Sequence, residues 1–521
     1  MSLRSTLLCS AALLSLAACG QPRPLSREEI STRATADLQA LMTMPEPAER
    51  PVVLEEAIAR AVKYNLDHRV KLAEEGLSLG QADLTGLDLL PRIGADAAYT
   101  WRSKEGATSS RSATTGQLSP QASIAEEKSV LRGQLNAGYD LLELGINYAR
   151  TKQAQDAALL AGERRRKAIQ TVAADVQNAY WRAVAAEHLL PELERLITRA
   201  NQALERSRKV ERDKMLAPSD ALAYQRVLLA ALQALSERRR EMEIAKAELA
   251  MLMGLPPGTT YQIAQGMPEL SGRLTELPPQ SLVPVAFAER PELRAEDYQG
   301  RITSREVEKA FLSIFPSLTL RAGPAFDSNR YLQNNEWFQA GGLLSWNLMR
   351  IFTLPAQQRQ AERMAALDQV RRMQVGMAVM VQVHLAVRRH EVARQAHGLA
   401  AEAAQVEERM LRETRNRVAA QTANDLDVAV AEANALLARV RLALALAERE
   451  TAAAQIYVAT GLDPLPEAVR AHDIATLTEA VRARFALFPE RLRTAAAGDA
   501  AGDAAVPEGA VSVAPDPASK G

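Results

Sequence analysis

Aromatic side chains are scarce in this chain, at 4% of 521 residues. Alanine, leucine, arginine and glutamate dominate instead, the mixture of long packed helices rather than of several aromatic-cored domains. Cysteine is scarcer still: Cys9 and Cys19 exclude a disulfide framework. Net charge is absent, with 63 basic against 63 acidic residues, which argues against a nucleic-acid partner. The runs Arg164-Arg165-Arg166 and Arg238-Arg239-Arg240 sit beside glutamates and read as solvated helix faces. After the first twenty residues no apolar run reaches about eighteen residues, so no transmembrane helix is expected. Walker A, HExxH and CxxC patterns are missing, and catalysis finds no support. His390 and His397 would lie about 10 Å apart along a helix, too far to chelate one ion. They read as helix-packing or lumen residues.

The N-terminus is more specific. Arg4 precedes a short apolar run, Leu7 to Ala18, in the shape of a secretory signal. It ends in Leu16-Ala17-Ala18-Cys19-Gly20, which resembles the lipobox of bacterial lipoproteins. That resemblance implies cleavage before Cys19 and a diacylglycerol and acyl lipid, such as palmitate, on its sulfur. Gly20 in place of Asp implies the outer membrane.

Against the helical background stand four stretches with a period of two. In "SVLRGQLNAGYDLLELG", Leu131, Gly133, Leu135, Ala137, Tyr139 and Leu141 alternate with Arg132, Gln134, Asn136, Gly138 and Asp140. Ile93, Ala95, Ala97, Tyr99 and Trp101 do the same opposite Arg92, Gly94, Asp96, Thr100 and Arg102. Leu318, Leu320, Ala322 and Phe326 oppose Ser317, Thr319, Arg321 and Asp327, and Phe338 to Leu348 opposes Gln339, Ser345 and Asn347. Each is about ten residues long, the length of a tilted membrane-spanning strand. Trp101, Trp337 and Trp346 cluster in or at the ends of these strands, as in an aromatic girdle. The connections, 104 to 128 and 328 to 336, suit exposed loops. Four strands cannot close a barrel, for which about eight is the minimum. An open edge in lipid costs several kcal/mol per unpaired group. The pattern therefore demands closure between chains, in a number that the period does not give.

The chain is written twice. Leu90-Pro91 corresponds to Phe315-Pro316, Tyr139-Asp140-Leu141 to Trp346-Asn347-Leu348, and the glycine turn at Gly254 to that at Gly461. Ile169, Val172, Val176, Ala179, Ala183, Ala186, Leu190, Leu193, Ile197, Ala200 and Leu204 form a heptad seam. Helices from about Leu144 to Arg212 and Met349 to Arg417 would each be roughly 100 Å long. Pro191 and Gly398 are places where they can bend. Residues 52 to 88, 219 to 252, 281 to 312 and 424 to 460 supply shorter helices that stack in pairs along the long ones. Ser219 and Asn424 suit N-caps, with Pro218 preceding one of them.

The stretch "RNRVAAQTANDLDVAVAEANALL", residues 415 to 437, is similar to the helix-turn-helix tip of the TolC-type outer-membrane factor family, R-Y-x-x-G-x-x-S-x-L-D-V-L-x-A. Arg417, Leu426, Asp427, Val428 and Ala431 match. Val418 replaces the aromatic residue and Gln421 the glycine. The first copy, "RDKMLAPSDALAYQRVLL", keeps Arg212, Ser219 and Asp220.

The resemblance covers about residues 50 to 465. It implies a mainly α fold of two tandem repeats, with long helical hairpins forming a periplasmic α-barrel. Four strands per chain would contribute to a trimeric twelve-stranded β-barrel. It implies a lipid-anchored exit duct of a tripartite efflux or type I secretion system, extending from the outer membrane into the periplasm. The partners would be a periplasmic adaptor and an inner-membrane transporter. No cofactor is implied beyond the lipid on Cys19.

The expected division is a signal peptide (1–18), a lipidated segment (19–50), a first repeat (51–254, strands about 91–102 and 130–141) and an equatorial linker (255–280). A second repeat (281–463, strands about 316–327 and 337–348), an equatorial segment (464–494) and a disordered tail (495–521) follow. Asp427 would ring the periplasmic gate, with Val430 where the family often has a second acid; a helix-capping role is the simpler reading of Asp427. Arg212, Ser219, Asp220, Arg417, Asn424 and Leu426 would dock the adaptor. Arg132, Gln134, Asn136, Asp140 and Arg321 would face a lumen. The competing reading is a lipid-anchored periplasmic coiled-coil scaffold or adaptor with no pore.

Overall fold

The computed structural model describes residues 24–43, 46–48, 50–119, 121–213, 218–264, 278–422, 425–466 and 473–496. Cys19, the signal sequence and the tail beyond residue 496 lie outside the described residues, as does Asn424. A leading helix, α1 (Arg27–Thr43), buries no residue. It starts at a capping box: the Ser26 amide donates to Glu29 over 2.7 Å and the Glu29 amide donates to Ser26 Oγ over 3.2 Å.

The first repeat follows as α2 (Leu54–Tyr64), α3 (Leu66–Leu87), β1 (Arg92–Trp101), β2 (Gly106–Thr108), β3 (Ser123–Glu126), β4 (Ser129–Asp140), α4 (Leu141–Arg212) and α5 (Pro218–Leu252). The second is α6 (Pro279–Glu289), α7 (Pro291–Leu312), β5 (Ser317–Asp327), β6 (Glu336–Ser345), α8 (Arg350–Ala419) and α9 (Asp425–Ala459). A last helix, α10 (Ile474–Ala496), closes the described chain. The fold is mainly helical with a small sheet, in two copies of one plan. Among the described residues no helix is long and apolar enough to cross a membrane.

The sequence predicts one helix over 52–88 and one over 281–312. Each is broken in two. At Asn65 the backbone turns extended (ψ 123°), and the side-chain oxygen accepts from the His68 amide over 3.0 Å, capping α3. At Arg290 (ψ 125°) the cause is Pro291, whose ring keeps the preceding residue out of the helical region. These kinks receive the glycine turns that end each repeat. Gly254 and Gly461 both have left-handed φ, +74° and +81°. A Cβ on Gly254 would lie 2.6 Å from Tyr64 Cβ, and one on Gly461 would lie 2.7 Å from the Arg290 nitrogen. Close packing of turn on kink thus selects glycine twice.

The long helices are as long as their seams predict, with 72 residues in α4 and 70 in α8. Pro191 does not interrupt α4, which is helical throughout. The short hairpin β2–β3 lies in the stretch that read as loop. Ser219 is not a cap: α5 begins at Pro218, so Ser219 is in its first turn. The arginine runs divide. Arg238 and Arg239 pair with Glu241 and Glu243 on an exposed face. Arg166, however, is mostly buried, where it binds Asp463, Glu163 and the Gly461 carbonyl. It therefore fastens α4 to the end of the second repeat and is not a solvated-face residue.

The four long strands form one antiparallel sheet in the order β1-β4-β5-β6. The ladder between β4 and β5 is interrupted near Gly323, where a Cβ would lie 1.7 Å from the Leu135 carbonyl oxygen. Pro324 beside it has no amide to donate. The helices keep the same lateral order. Next to the sheet α3 packs on α4, α4 on α7 and α7 on α8; farther away α5 packs on α4, α4 on α9 and α9 on α8. The chain is a section of wall with α4 and α8 running its height.

Its main core surrounds Tyr180 and Trp181 of α4, which meet edge to face at 5.5 Å, and draws in α2, α6, α9 and α10. Seam residues Ile169, Val172, Val176, Ala179, Ala183, Ala186, Leu193, Ala200 and Leu204 are buried. Away from the sheet the core thins to Ala203, Leu204 and Leu228.

Candidate functional site: the polar sheet face and the helical tip

Register sorts the sheet into two faces. Ile93 and Tyr99 of β1, Leu131 and Leu135 of β4, Leu320 of β5 and Phe338 and Leu344 of β6 share one face, and all are exposed. Ile93 and Phe338 reach 73% and 72% exposure. Large apolar patches of this kind need a nonaqueous neighbour.

The other face is a hydrogen-bonded lattice. Asp96 Oδ2 accepts from Gln134 Nε2 and Asn136 Nδ2, each over 3.1 Å. Gln134 accepts in turn from Gln339 over 3.3 Å. Arg132 Nε donates to Asp327 Oδ2 over 2.9 Å, and its guanidinium also pairs with Glu126. Asp140 accepts from the Leu142 and Glu143 amides (3.0 and 3.1 Å) and from the hydroxyls of Ser317 and Thr319 (2.5 and 3.0 Å). It is the N-cap of α4 and turns strand into helix. Periodicity had marked it as polar-facing only; the following helical run was the signal for the cap. Asn347 occupies the matching place, accepting from the Met349 amide over 3.2 Å. Arg321 is exposed on this face. The expected strand residues Arg132, Gln134, Asn136, Asp140 and Arg321 thus share one polar surface.

At the far end α4 turns into α5 and α8 into α9. Arg212 and Arg417 are exposed at the ends of the long helices, and Ser219 is exposed at the start of α5. The side chains of Asp220 and Leu426 and all of Asn424 lie outside the described residues. The Arg417 carbonyl accepts from the Thr422 amide over 2.8 Å, closing the turn. Gln421, in the family's glycine slot, has φ +58°, the only positive value of a non-glycine among the described residues. The turn keeps a glycine conformation without the glycine.

Asp427 is joined to the other hairpin: the Tyr224 hydroxyl donates to Asp427 Oδ1 over 2.9 Å. Higher up, Glu432 of α9 accepts from Arg199 of α4 over 3.2 Å and from Arg415 of α8 over 2.9 Å. Arg439 and Glu192 add another pair between α9 and α4. Tyr224, Arg199 and Glu432 had no mark in the sequence, because partners so remote are joined only by folding. His390 is buried in α8, where burial and the nearby Arg394 and Arg449 push its pKa down and Glu450 pushes it up, the net being a decrease.

Among the described residues no group of three or more His, Cys, Asp or Glu is placed to hold a metal ion. Gly76-Leu77-Ser78-Leu79-Gly80 has the spelling of a nucleophile elbow, G-x-S-x-G. It lies inside α3, and Ser78 Oγ donates to the Glu74 carbonyl over 2.9 Å, so the strand-to-helix elbow is missing.

Residues 58–255 match the family model described as "Outer membrane efflux protein". Among curated proteins none matches the sequence. Among solved structures, the fold is similar to the MtrE outer-membrane channel of Neisseria gonorrhoeae, at 19% identity and TM-score 0.61, covering 78% of this chain and 88% of that one. VceC of Vibrio cholerae, an outer membrane protein, is similar at 18% identity and TM-score 0.58, covering 78% and 96%. The CmeC channel of Campylobacter jejuni is similar at 14% identity and TM-score 0.61, covering 78% and 85%. The likeness to TolC-type factors read from the tip motif is carried by both the family match and the fold.

Proposed function

We propose that this chain, whose residues 58–255 match the outer membrane efflux protein model and whose fold is similar to solved outer-membrane channels, is one sector of an outer-membrane exit duct. The observation that carries the reading is the pair of open edges. Strands β1 and β6 each have one unpaired side. With the apolar face toward lipid, those edges must be closed by neighbouring copies. The helical layer has the same need. Along α8, buried Val379, Val383, Ala386 and Ala393 lie about half a turn from exposed Val381, Leu385, Val392, Leu399 and Val406. A helix apolar on opposite sides requires two partners, and the chain supplies one.

The matching surface is at the other edge, where α3 exposes Val70, Leu77 and Leu84 and α5 exposes Leu222 and Leu229 at heptad spacing. Packing α8 of one copy on α3 and α5 of the next closes both layers in one rotation. Three copies, the number the family resemblance implies, give a twelve-stranded barrel continued by a helical tube. The apolar sheet face, with Trp101 at the end of β1, meets outer-membrane lipid, whereas Trp337 lies on the polar face and donates to Gln339. Arg132, Gln134, Asn136, Asp140 and Arg321 face a water-filled lumen.

The remaining assignments belong to the same reading. Cys19 carries the lipid anchor after removal of residues 1–18, and residues 255–280 and 464–494 lie at the equator. The tip, with Arg212, Ser219, Asp220, Arg417, Asn424 and Leu426, meets a periplasmic adaptor that connects to an inner-membrane transporter. This is the arrangement of a tripartite efflux or type I secretion system. Asp427, with Val430 one turn on, lies at the narrow end of the tube, and its bond to Tyr224 favours the closed tip.

Single-channel recording in a planar bilayer tests the proposal. Steady conductance from the purified oligomer supports it, with altered conductance or cation selectivity in Asp427→Ala. A folded oligomer that stays silent even after residues 212–220 and 417–427 are trimmed would return the chain to the scaffold reading.

A further inference from the structure

One row of the sheet runs Arg92, Gly138, Arg321, Gly341 across β1, β4, β5 and β6. Residues directly opposite one another share a face, so both arginines stand on the polar side. Their strands are separated by β4, which places the Cα atoms about 10 Å apart. The residues flanking Arg321 have no side chains. A Cβ on Gly138 would lie 3.4 Å from Arg321 Cγ, so the arginine stem lies against that glycine. A Cβ on Gly341 would meet nothing within 4 Å, so the space on the other side is open.

Of the neighbouring charges, Arg92, Glu143, Asp140 and Asp96 are engaged, and Asp88 shares a concavity with them. Arg92 is paired with Glu143. Asp140, beside the row, receives its four hydrogen bonds from amides and hydroxyls, and Asp96 receives two from carboxamides. Arg321 has no hydrogen bond or ion pair among the described residues. Its guanidinium keeps all five donors for a solute. It lines a concavity of about 380 Å³ together with Arg92, Asp96 and Asp140.

We propose that Arg321 is a charge-selecting residue of the lumen, which binds the carboxylate, phosphate or sulfonate groups of passing solutes. This rests on the duct reading above. A planar guanidinium recognises such groups with two parallel hydrogen bonds, and repeated in each copy it makes a cationic ring. The ring is distinct from the carboxylates at the tip. The four carboxylates that line the concavity, Asp88, Asp96, Asp140 and Glu143, keep the region from being simply positive. The inference therefore concerns the chloride share of the current that Arg321 maintains against them, rather than net anion selectivity.

The test is the reversal potential of the purified oligomer in a tenfold KCl gradient. Arg321→Gln should reduce the chloride-to-potassium permeability ratio at least twofold, and Arg321→Glu should reduce it further. In parallel, Arg321→Cys is exposed to an anionic methanethiosulfonate reagent, which should reduce its current in discrete steps, one per subunit. Unmodified current in Arg321→Cys would overturn the inference by removing Arg321 from the conduction path. Stepwise modification with an unchanged permeability ratio in the Gln and Glu variants would overturn its charge-selecting role. A wild-type oligomer without conductance, even after tip trimming, would instead refute the duct.

Discussion

The hydroxyl of Tyr224 donates to Asp427 Oδ1 over 2.9 Å, joining the second turn of α5 to the first turn of α9 across 203 residues of sequence. Both residues are part-buried, and the bond runs to an ionised acceptor, so its net worth is about 1.5–3 kcal/mol. Tyr224→Phe removes the donor and little volume. The expected outcome is a tip that opens more often, read as a several-fold rise in open probability in bilayer recordings with the folded oligomer intact.

Gln421 holds a left-handed backbone conformation at the α8–α9 turn. An L-residue there costs roughly 1–2 kcal/mol, and glycine returns part of the gain through its greater freedom when unfolded. Gln421→Gly should therefore stabilise the tip by about 0.5–1 kcal/mol. Slower hydrogen exchange of amides near residue 422, with unchanged exchange in the main core, is the expected reading.

Two glycines with similar φ should respond differently to alanine. Gly461 has φ +81° and would place its Cβ 2.7 Å from backbone atoms of Glu289 and Arg290. Gly258 has φ +84° but open space around it. Gly258→Ala should cost about 1 kcal/mol from backbone strain alone. Gly461→Ala must also separate the turn from its kink, and a thermal melt should show a loss several times larger.

The exposed seam of α8 can be tested without touching its core. Leu385→Glu and Leu399→Glu, alone or together, leave the buried stripe of Val379, Val383 and Ala386 unchanged. Burying an unpaired carboxylate between copies is strongly unfavourable. Sedimentation in detergent should show loss of the oligomer, while circular dichroism of the subunit remains helical.

His390 predicts a pH dependence. Its pKa is lowered from the ordinary 6.5, with burial the largest cause, against Glu450 and alongside Arg394 and Arg449. Below 6.5 the unfolded chain takes up the proton before the folded one does, so acidification favours unfolding. Stability should fall as pH drops from about 7 toward 5, through the interval between the ordinary and the lowered pKa. His390→Leu should flatten that slope in urea titrations at the two ends of the range.

The polar lattice and the helical body were not equally legible in the sequence. The two faces of the sheet were written in the alternation of Leu131, Leu135 and Tyr139 with Arg132, Gln134 and Asn136, because a strand exposes successive residues to opposite sides. The long helices were written in the seam from Ile169 to Leu204, because burial recurs every three or four residues. The kink at Arg290 was legible in Pro291, a local steric effect, although it was read as part of one helix. The kink at Asn65 carries no proline; its local signal is the asparagine that caps α3, and the packing of Gly254 on Tyr64 adds to it only on folding.

Local chemistry thus determined where strands, helices and turns occur, since each depends on residues within a few positions. Folding alone decided what spans the repeats. It withdrew Arg166 from solvent to bind Asp463, brought the hydroxyls of Ser317 and Thr319 onto Asp140, joined Tyr224 to Asp427, and left Arg321 between two glycines. Each relationship depends on groups from distant parts of the chain arriving at one place, and no period in the sequence records that distance.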